Sequence, residues 1–319
     1  MSRQRRTLGS FLLVSVFFGG TFVAAKAGQA DVPPLLLVAL RFDIAAILLL
    51  GYVVLTTPRT EWLPTTRGDV AAIFAAGLLA IGLSNGLLFV GQGSVSSGVA
   101  AIVFALVPIF APLFAGGLLA DERLSAAGAV GTLVGLVGVG LVIDGSPSTV
   151  AGTVDGGAAI VLGGAVSLAL GTVLIRRADS GLSSTVRTAW ALPISALLLH
   201  GLSLRAGESV AAIDWTLGAV VSLGYLSVLA GAVAYIYYFG LVDEIGATRS
   251  SLVFYVSPVV ATLGGWLLLG ESVSATTITG FGVVVVGFAI LGHESLTPMV
   301  RRVIERSTNG WGAVETRGN

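Results

Sequence analysis

Long stretches of hydrophobic residues alternate along this chain with short polar segments. Because about 20 helical residues cross the hydrocarbon core of a bilayer, each apolar run of about 18 residues or more predicts a transmembrane helix. The runs are continuously apolar rather than alternating with period two, which favours helices over a β-barrel. The ten predicted spans cover approximately residues 8–28, 34–55, 69–90, 95–119, 125–143, 154–175, 185–204, 215–241, 249–269 and 274–292.

Composition agrees with membrane insertion and excludes several classes of protein. Only 11% of the 319 residues are charged, against roughly 25% in ordinary globular domains, and the mean hydropathy is +0.95. Seventeen basic and 17 acidic side chains are too few to coat a water-facing surface, so a soluble enzyme, a nucleic-acid-binding protein and a disordered chain are excluded. With no cysteine and two histidines, we expect no disulfide, no metal site and no cofactor.

The distribution of arginine predicts the orientation of the chain. Fourteen of the 17 basic side chains fall in segments on one side, which the positive-inside rule places in the cytoplasm. The other side carries Lys26 and Arg205, and Arg41 lies within a predicted span. An even number of spans places both termini in the cytoplasm. The arginines at the N-terminus could also begin a cleaved signal peptide, but nine further spans favour a multi-pass protein of the cytoplasmic membrane.

The two halves of the chain align with each other. Residues 98–119 match 248–269 at an offset of 150, which places Pro108 on Pro258. Each half has five predicted helices, an odd number, so the second copy must enter the membrane inverted. Inverted repeats are typical of secondary transporters, whose substrate site lies near the midplane between the copies. We predict an all-α integral membrane protein with a first five-helix repeat at 1–146, a second, inverted repeat at 147–293 and a polar cytoplasmic tail at 294–319.

Residues 235–287 combine an aromatic stretch, a Gly-Ala turn, a Pro-Val helix, Leu-Gly-Glu and a Gly-rich helix. The first two predicted spans contain "FFGGTFVAAKAG" and "VALRFDIAAILLL". These stretches resemble the last two and the first two helices of the ten-helix, EamA-type branch of the drug/metabolite transporter superfamily. The resemblance implies alternating access for small metabolites, often amino acids or related solutes and frequently as efflux. The basic pair of organophosphate-exchanging relatives is missing from the ninth helix, which disfavours phosphorylated substrates.

Charged residues inside the predicted spans are the first candidates for function, because a charge in the membrane is costly. Arg41 lies about 10 Å deep at 1.5 Å per residue, and Asp43, two positions on, does not share its helical face. Asp43 is the best candidate for proton coupling, with a structural ion pair left open. Lys26 could pair with Asp43 or Asp31, or extend to the lipid headgroups.

A polar and aromatic stripe predicts the substrate site. Asn85, Phe89 and Gln92 follow one another at successive helical turns, and the repeat overlays Asn85 on Tyr235. Such a face would offer hydrogen bonds and apolar walls to a small polar solute, although Asn85 could also join two helices by a hydrogen bond. Tyr235 and Tyr238 can share a face, while Tyr237 points elsewhere. The predicted substrate-binding residues are Asn85, Phe89, Gln92, Phe104, Tyr235, Tyr238 and Tyr255, and the predicted coupling or gating residues are Lys26, Arg41, Asp43, Pro108 and Pro258.

Glycines in the fifth and tenth spans indicate close helix packing. Gly131 and Gly135 form a GxxxG pattern that could mediate a homodimer or a contact within one chain. The sequence leaves the oligomeric state open.

We expect a secondary carrier whose partners are a small-molecule substrate and the lipid bilayer, and not an enzyme. Lys26 is the only lysine, so the chain lacks a lysine-bearing phosphate loop and cannot use ATP. Transport must follow a gradient or couple to an ion, with a proton favoured through Asp43. A channel is the alternative, with a membrane-embedded enzyme or a scaffold as less favoured readings.

Overall fold

The computed structural model describes residues 3–119, 126–144, 156–245, 253–287 and 289–290, and within these ranges the secondary structure is helical without strands. The all-α prediction is therefore confirmed for the described residues. The longer helices are α1 (Arg3–Gly28), α2 (Pro34–Thr56), α3 (Arg67–Gln92), α4 (Ser97–Leu118), α5 (Ala126–Asp144), α6 (Gly156–Arg177), α7 (Ser184–Arg205), α8 (consecutive segments Leu217–Gly224, Tyr225–Val233 and Ala234–Ile245), α9 (Val253–Leu269) and α10 (Ala275–Gly287). Short helical turns lie in the loops at Arg59–Trp62 and Val210–Ala212.

Six of the described helices are long and apolar enough to cross a membrane: α1, α2, α3, α4, α6 and the Leu217–Tyr238 part of α8. Shorter apolar helices cover Ala129–Val142, Val256–Leu269 and Ala275–Gly287. Helix α7 has 22 residues but is less apolar, since it contains Arg187 and His200. These helices make the chain a multi-pass membrane protein, whereas ten crossings and cytoplasmic termini stay predictions.

The two halves of the chain pack against each other in a reciprocal pattern. Helix α1 packs against α8 and α9 of the second half, and α6 packs against α3 and α4 of the first half. Helix α2 packs against α8, and α7 against α3, while α2 and α7 contact each other. Replacing α1 by α6, α2 by α7, α3 by α8 and α4 by α9, and the reverse, turns this set of contacts into itself. The contact between α2 and α7 is the one that joins a helix to its own counterpart.

A π-helical segment interrupts both α3 and α8. The segments are Ala75–Leu83 and Tyr225–Val233, each of nine residues, and they lie 150 residues apart. In α3 the carbonyl of Leu79 accepts a hydrogen bond from Ser167 Oγ of α6 at 3.0 Å. In α8 the hydroxyl of Tyr225 donates to the carbonyls of Val16 and Phe17 of α1 at 3.2 and 3.3 Å. Each π-helical segment is thus hydrogen-bonded to the first helix of the other half of the chain, which is α6 for the segment in α3 and α1 for the segment in α8.

Glycines bring α5 and α10 into backbone contact. A Cβ atom on Gly138 would lie 2.8 Å from the carbonyl oxygen of Gly280, and one on Gly287 would lie 2.7 Å from that of Gly131. The interpretation of these glycines as close packing within the chain is confirmed. Gly131 and Gly135, the two residues of the GxxxG pattern, lie against α10 of the same chain.

We expect Gly171→Ala to lower the melting temperature of the protein and Gly163→Ala to leave it unchanged or slightly raised. A Cβ atom on Gly171 would lie 2.6 Å from the backbone nitrogen of Ala80 in the π segment, whereas one on Gly163 would meet only Leu87 Cδ1 at 3.5 Å. Overpacking against backbone costs about 1–3 kcal/mol, and alanine otherwise favours a helix over glycine. Thermal unfolding of the two purified variants checks this, and equal melting temperatures would contradict it.

Candidate functional site

Arg41 on α2 is buried and has side-chain donors that no described residue accepts from. The residue is 3% exposed, and its Nε and Nη1 atoms are buried without a hydrogen-bond partner among the described residues. Its Cζ atom lies 4.5 Å from the ring centroid of Phe42 and 5.4 Å from that of Phe89 on α3. Aromatic faces attract a cation but do not occupy its N–H groups. A buried guanidinium with unmade hydrogen bonds is costly, so this position is a candidate ligand site.

Gln92 adds an unused acceptor one helical turn beyond Phe89. The residue is fully buried, and its Nε2 donates a short hydrogen bond to the carbonyl of Phe22 on α1. Its Oε1 is buried without a partner in the described part of the chain. Residues three apart on a helix have Cβ atoms about 5–6 Å apart, so Gln92 lies next to Phe89 on α3, and Phe89 contacts Arg41 on α2. The structure thereby brings the predicted substrate residue Phe89 to the predicted coupling residue Arg41, with Gln92 one turn further along α3.

Tyr235 connects Arg41 to a group of aromatic rings, here called the aromatic cluster: Phe18, Tyr235, Tyr238 and Phe254. Tyr235 lies within electrostatic range of Arg41, and its ring centroid is 5.5 Å from that of Phe18. Phe18 in turn lies 5.7 Å from Tyr238 and stacks on Phe254 at 5.8 Å. Tyr235 and Tyr238 share a face, as their spacing predicts, while Tyr237 is 45% exposed. Through Tyr235, the aromatic cluster is thus continuous with the surroundings of the guanidinium.

Beyond the aromatic cluster, α1, α8 and α9 close together at one end of the bundle. Val14, Leu241 and Val253 form a buried hydrophobic group there. At the same end, the hydroxyl of Thr7 donates to Glu244 Oε1 at 2.9 Å. The arginine distribution predicts that this end faces the cytoplasm.

Asp43 contacts His200, a residue to which the sequence assigned no role. The distance between Asp43 Oδ2 on α2 and His200 Nε2 on α7 is 2.7 Å, and the side chains are 42% and 36% exposed. The pairing of Asp43 with Lys26, one of the alternatives left open by the sequence, is therefore not formed. The sequence did not identify His200 as a functional residue because His200 reaches Asp43 only through the packing of α7 against α2. No local sequence pattern predicts that packing.

Lys26 binds backbone carbonyls rather than a carboxylate. Its ammonium group donates to the carbonyls of Gln92, Gly93 and Val95 at 2.8, 2.9 and 3.1 Å. A cation is favourable at the C-terminus of a helix, where carbonyls lack partners, and α3 ends at Gln92. The pairing with Asp31 is not formed either, since Asp31 Oδ2 accepts from Thr216 Oγ1. Lys26 holds the end of α3 and extends to these carbonyls instead of the headgroups.

Two further predicted substrate residues have contacts outside the Arg41 site. Asn85 Nδ2 donates to the carbonyl of Ile81 in its own helix at 2.8 Å, rather than to a neighbouring helix. The ring of Phe104 lies 6.1 Å from that of Phe22, in an edge-on arrangement. The side chain of Tyr255 lies outside the described part of the structure. Substrate-binding roles for Asn85, Phe104 and Tyr255 stay predictions.

The two aligned prolines have different local structures. Helix α4 is interrupted at Ala105 and Leu106, and Pro108 follows in the first turn of its second segment. Helix α9 continues through Pro258 without interruption. The two aligned prolines thus differ in local structure: the helix is broken just before Pro108 and continuous at Pro258. Gating by either proline stays a prediction.

Comparison with known proteins gives a family match and several full-length relatives. A model of the EamA-like transporter family matches residues 6–144 and again residues 155–292. The chain is 30% identical over 287 residues to the uncharacterized inner membrane transporter YedA of Escherichia coli K12, covering 89% of each chain. It is 28% identical over 279 residues to an uncharacterized transporter of Archaeoglobus fulgidus, covering 88% of this chain and 96% of that one. A crystal structure with 22% identity shares the fold at a TM-score of 0.61, covering 91% of this chain and 98% of the other.

Proposed function

Because the chain belongs to the EamA-like transporter family, we propose that it is a secondary carrier that moves small organic metabolites across the cytoplasmic membrane by alternating access. The family and the names of the relatives indicate a membrane transporter rather than an enzyme. The mechanism, the substrate class, the direction of transport and the coupling ion go beyond the family match and belong to this proposal.

The reciprocal packing of the two halves is the observation that carries this proposal. In carriers built from inverted repeats, one part of the molecule rocks against the other around a fixed site. Here α1 contacts α8 and α9 while α6 contacts α3 and α4, which is what two repeats of opposite orientation would produce. The π-helical segments lie in these contacts at corresponding places, and such segments are frequent at functional sites.

The Arg41 site suits a small polar solute. It combines a few buried hydrogen-bonding atoms with aromatic walls, a combination typical of small-molecule sites. We propose amino acids or related solutes as the substrate class and export as the direction, both implied by the resemblance of the sequence to this branch of transporters.

The proposed coupling ion is a proton. Asp43 carries a carboxylate in a helix that the membrane surrounds, and it is hydrogen-bonded to an imidazole at 2.7 Å. Carboxylates and imidazoles form the proton relays of transporters. Arg41 points to a different face of α2, so a proton at Asp43 and a solute at Arg41 can be bound separately.

Counterflow in liposomes tests the carrier proposal. The purified chain is reconstituted, the vesicles are loaded with an unlabelled pool of amino acids and metabolites, and entry of each labelled solute is followed with and without a pH gradient. We expect one class of solute to accumulate transiently against the loaded pool. Uptake without counterflow would indicate a channel, and no flux from the folded protein would contradict a metabolite transporter.

A further inference from the structure

We propose that Arg41 and Gln92 recognise two different groups of the transported solute: Arg41 binds an anionic group, a carboxylate, and Gln92 Oε1 accepts a hydrogen bond from an amino or hydroxyl group of the same molecule. This inference rests on the proposed carrier function. It assigns the solute chemistry and names Gln92 as a specificity-determining residue.

Among the described residues, no acidic side chain lies within ion-pair distance of Arg41. Asp43, the nearest acidic residue in sequence, contacts His200 instead. Burying a cation without a paired anion is strongly unfavourable, and an arginine presents a planar set of donors that matches a carboxylate. The Nε and Nη1 atoms are buried yet unpaired among the described residues. A solute carboxylate would supply both the charge and the acceptors.

The guanidinium is held in position before a solute arrives. Phe42 lies 4.5 Å and Phe89 5.4 Å from its Cζ atom, on α2 and α3 respectively. Contacts with ring faces fix a cation without using its N–H groups. The donors are therefore oriented in advance, which lowers the entropy cost of binding.

Gln92 is oriented in the same way. Its amide nitrogen donates to the carbonyl of Phe22, so the amide oxygen must be the free end. Lys26 donates to the main-chain carbonyl of Gln92 at 2.8 Å and thereby positions this part of α3. A buried acceptor without a donor is costly, and a bare carboxylate would not satisfy it. The solute must therefore carry an N–H or O–H group as well as its anion.

Four matched pools of solutes test the assignment in the counterflow assay. The pools are α-amino acids, the corresponding 2-hydroxy acids, the amino-acid amides, which lack the carboxylate, and the plain carboxylates, which lack the donor. We expect counterflow with the amino-acid pool, the hydroxy-acid pool or both. Which of the two pools is transported shows whether an amino or a hydroxyl group of the solute donates to Gln92 Oε1. Amides should be near background, and plain carboxylates should be slower by about 10-fold to 100-fold, the effect of one lost hydrogen bond to a buried group. Equal counterflow of amides and acids would overturn the role of Arg41.

Variants separate recognition from folding. We expect Arg41→Met to abolish counterflow of the acids while the melting temperature stays equal or rises, because the variant has no charge to bury. Gln92→Leu should reduce the preference for donor-bearing acids over plain carboxylates, and Arg41→Lys should retain part of the activity with acids. A lower melting temperature of Arg41→Met, or an unchanged preference in folded Gln92→Leu, would overturn the assignment. If no pool gives counterflow with the folded wild-type protein, the carrier proposal fails instead.

Discussion

A cross-link between α1 and α8, introduced through Thr7→Cys and Glu244→Cys, is expected to stop counterflow almost completely, and its reduction to restore it. The side-chain oxygens of these residues are 2.9 Å apart, at the end where α1, α8 and α9 close together. In an alternating-access cycle this end must open to release or accept the solute. A covalent link prevents the separation without touching the Arg41 site.

The chain is well suited to this measurement because it has no native cysteine. Initial counterflow rates are measured after treatment with a short thiol cross-linker and again after a reducing agent. Thr7→Cys alone and Glu244→Cys alone, treated in the same way, are the matched controls and should keep their rates. A fully cross-linked protein with normal counterflow would show that this end does not open during transport.

Asp43→Asn is expected to abolish the accumulation that an imposed pH gradient drives, while counterflow without a gradient continues. The variant keeps a hydrogen-bonding side chain opposite His200 but cannot bind or release a proton. A carrier whose coupling site cannot titrate still exchanges solute, because exchange requires no net movement of protons. We expect gradient-driven accumulation to fall at least about 10-fold, a loss that corresponds to about 1.4 kcal/mol of coupling free energy.

Asp31→Asn provides the control for this prediction. Asp31 is also an acidic residue, but its carboxylate accepts from Thr216 in a loop outside α2, so the variant should keep the response to the gradient. His200→Gln should change the pH dependence in the same direction as Asp43→Asn if the two residues act together. A pH response equal to that of the wild type in Asp43→Asn would exclude Asp43 as the proton site.

The positions of the helices follow from the sequence because each depends on local hydrophobicity. Helix α2 was predicted at 34–55 and lies at Pro34–Thr56, and α6 was predicted at 154–175 and lies at Gly156–Arg177. The π-helical segments were not predictable. Both segments are apolar like the rest of their spans, so hydrophobicity does not distinguish them from an ordinary helix. Carbonyls of the first segment accept hydrogen bonds from other helices, such as that from Ser195 Oγ to Gly77 O at 2.8 Å, and a local pattern does not encode such contacts.

The sequence predicts which residues belong to the site better than it predicts which residues they contact. The cost of a charge in the membrane singles out Arg41, and helical spacing groups Phe89 with Gln92. The contacts of Lys26 and His200 depend on how helices from distant parts of the chain pack, which the periodicity of one helix does not encode. The unpaired state of Arg41 likewise becomes visible only when its neighbours on α3 and α8 are in place.

The time course of counterflow tests the central claim most directly. Vesicles that contain the purified chain are loaded with unlabelled solute of the class found in the pooled screen, diluted into a trace of labelled solute and sampled over minutes. A secondary carrier predicts that the label rises above its equilibrium level inside the vesicles and then decays as the loaded pool escapes. A monotonic approach to equilibrium from the folded protein, without that overshoot, would contradict alternating access.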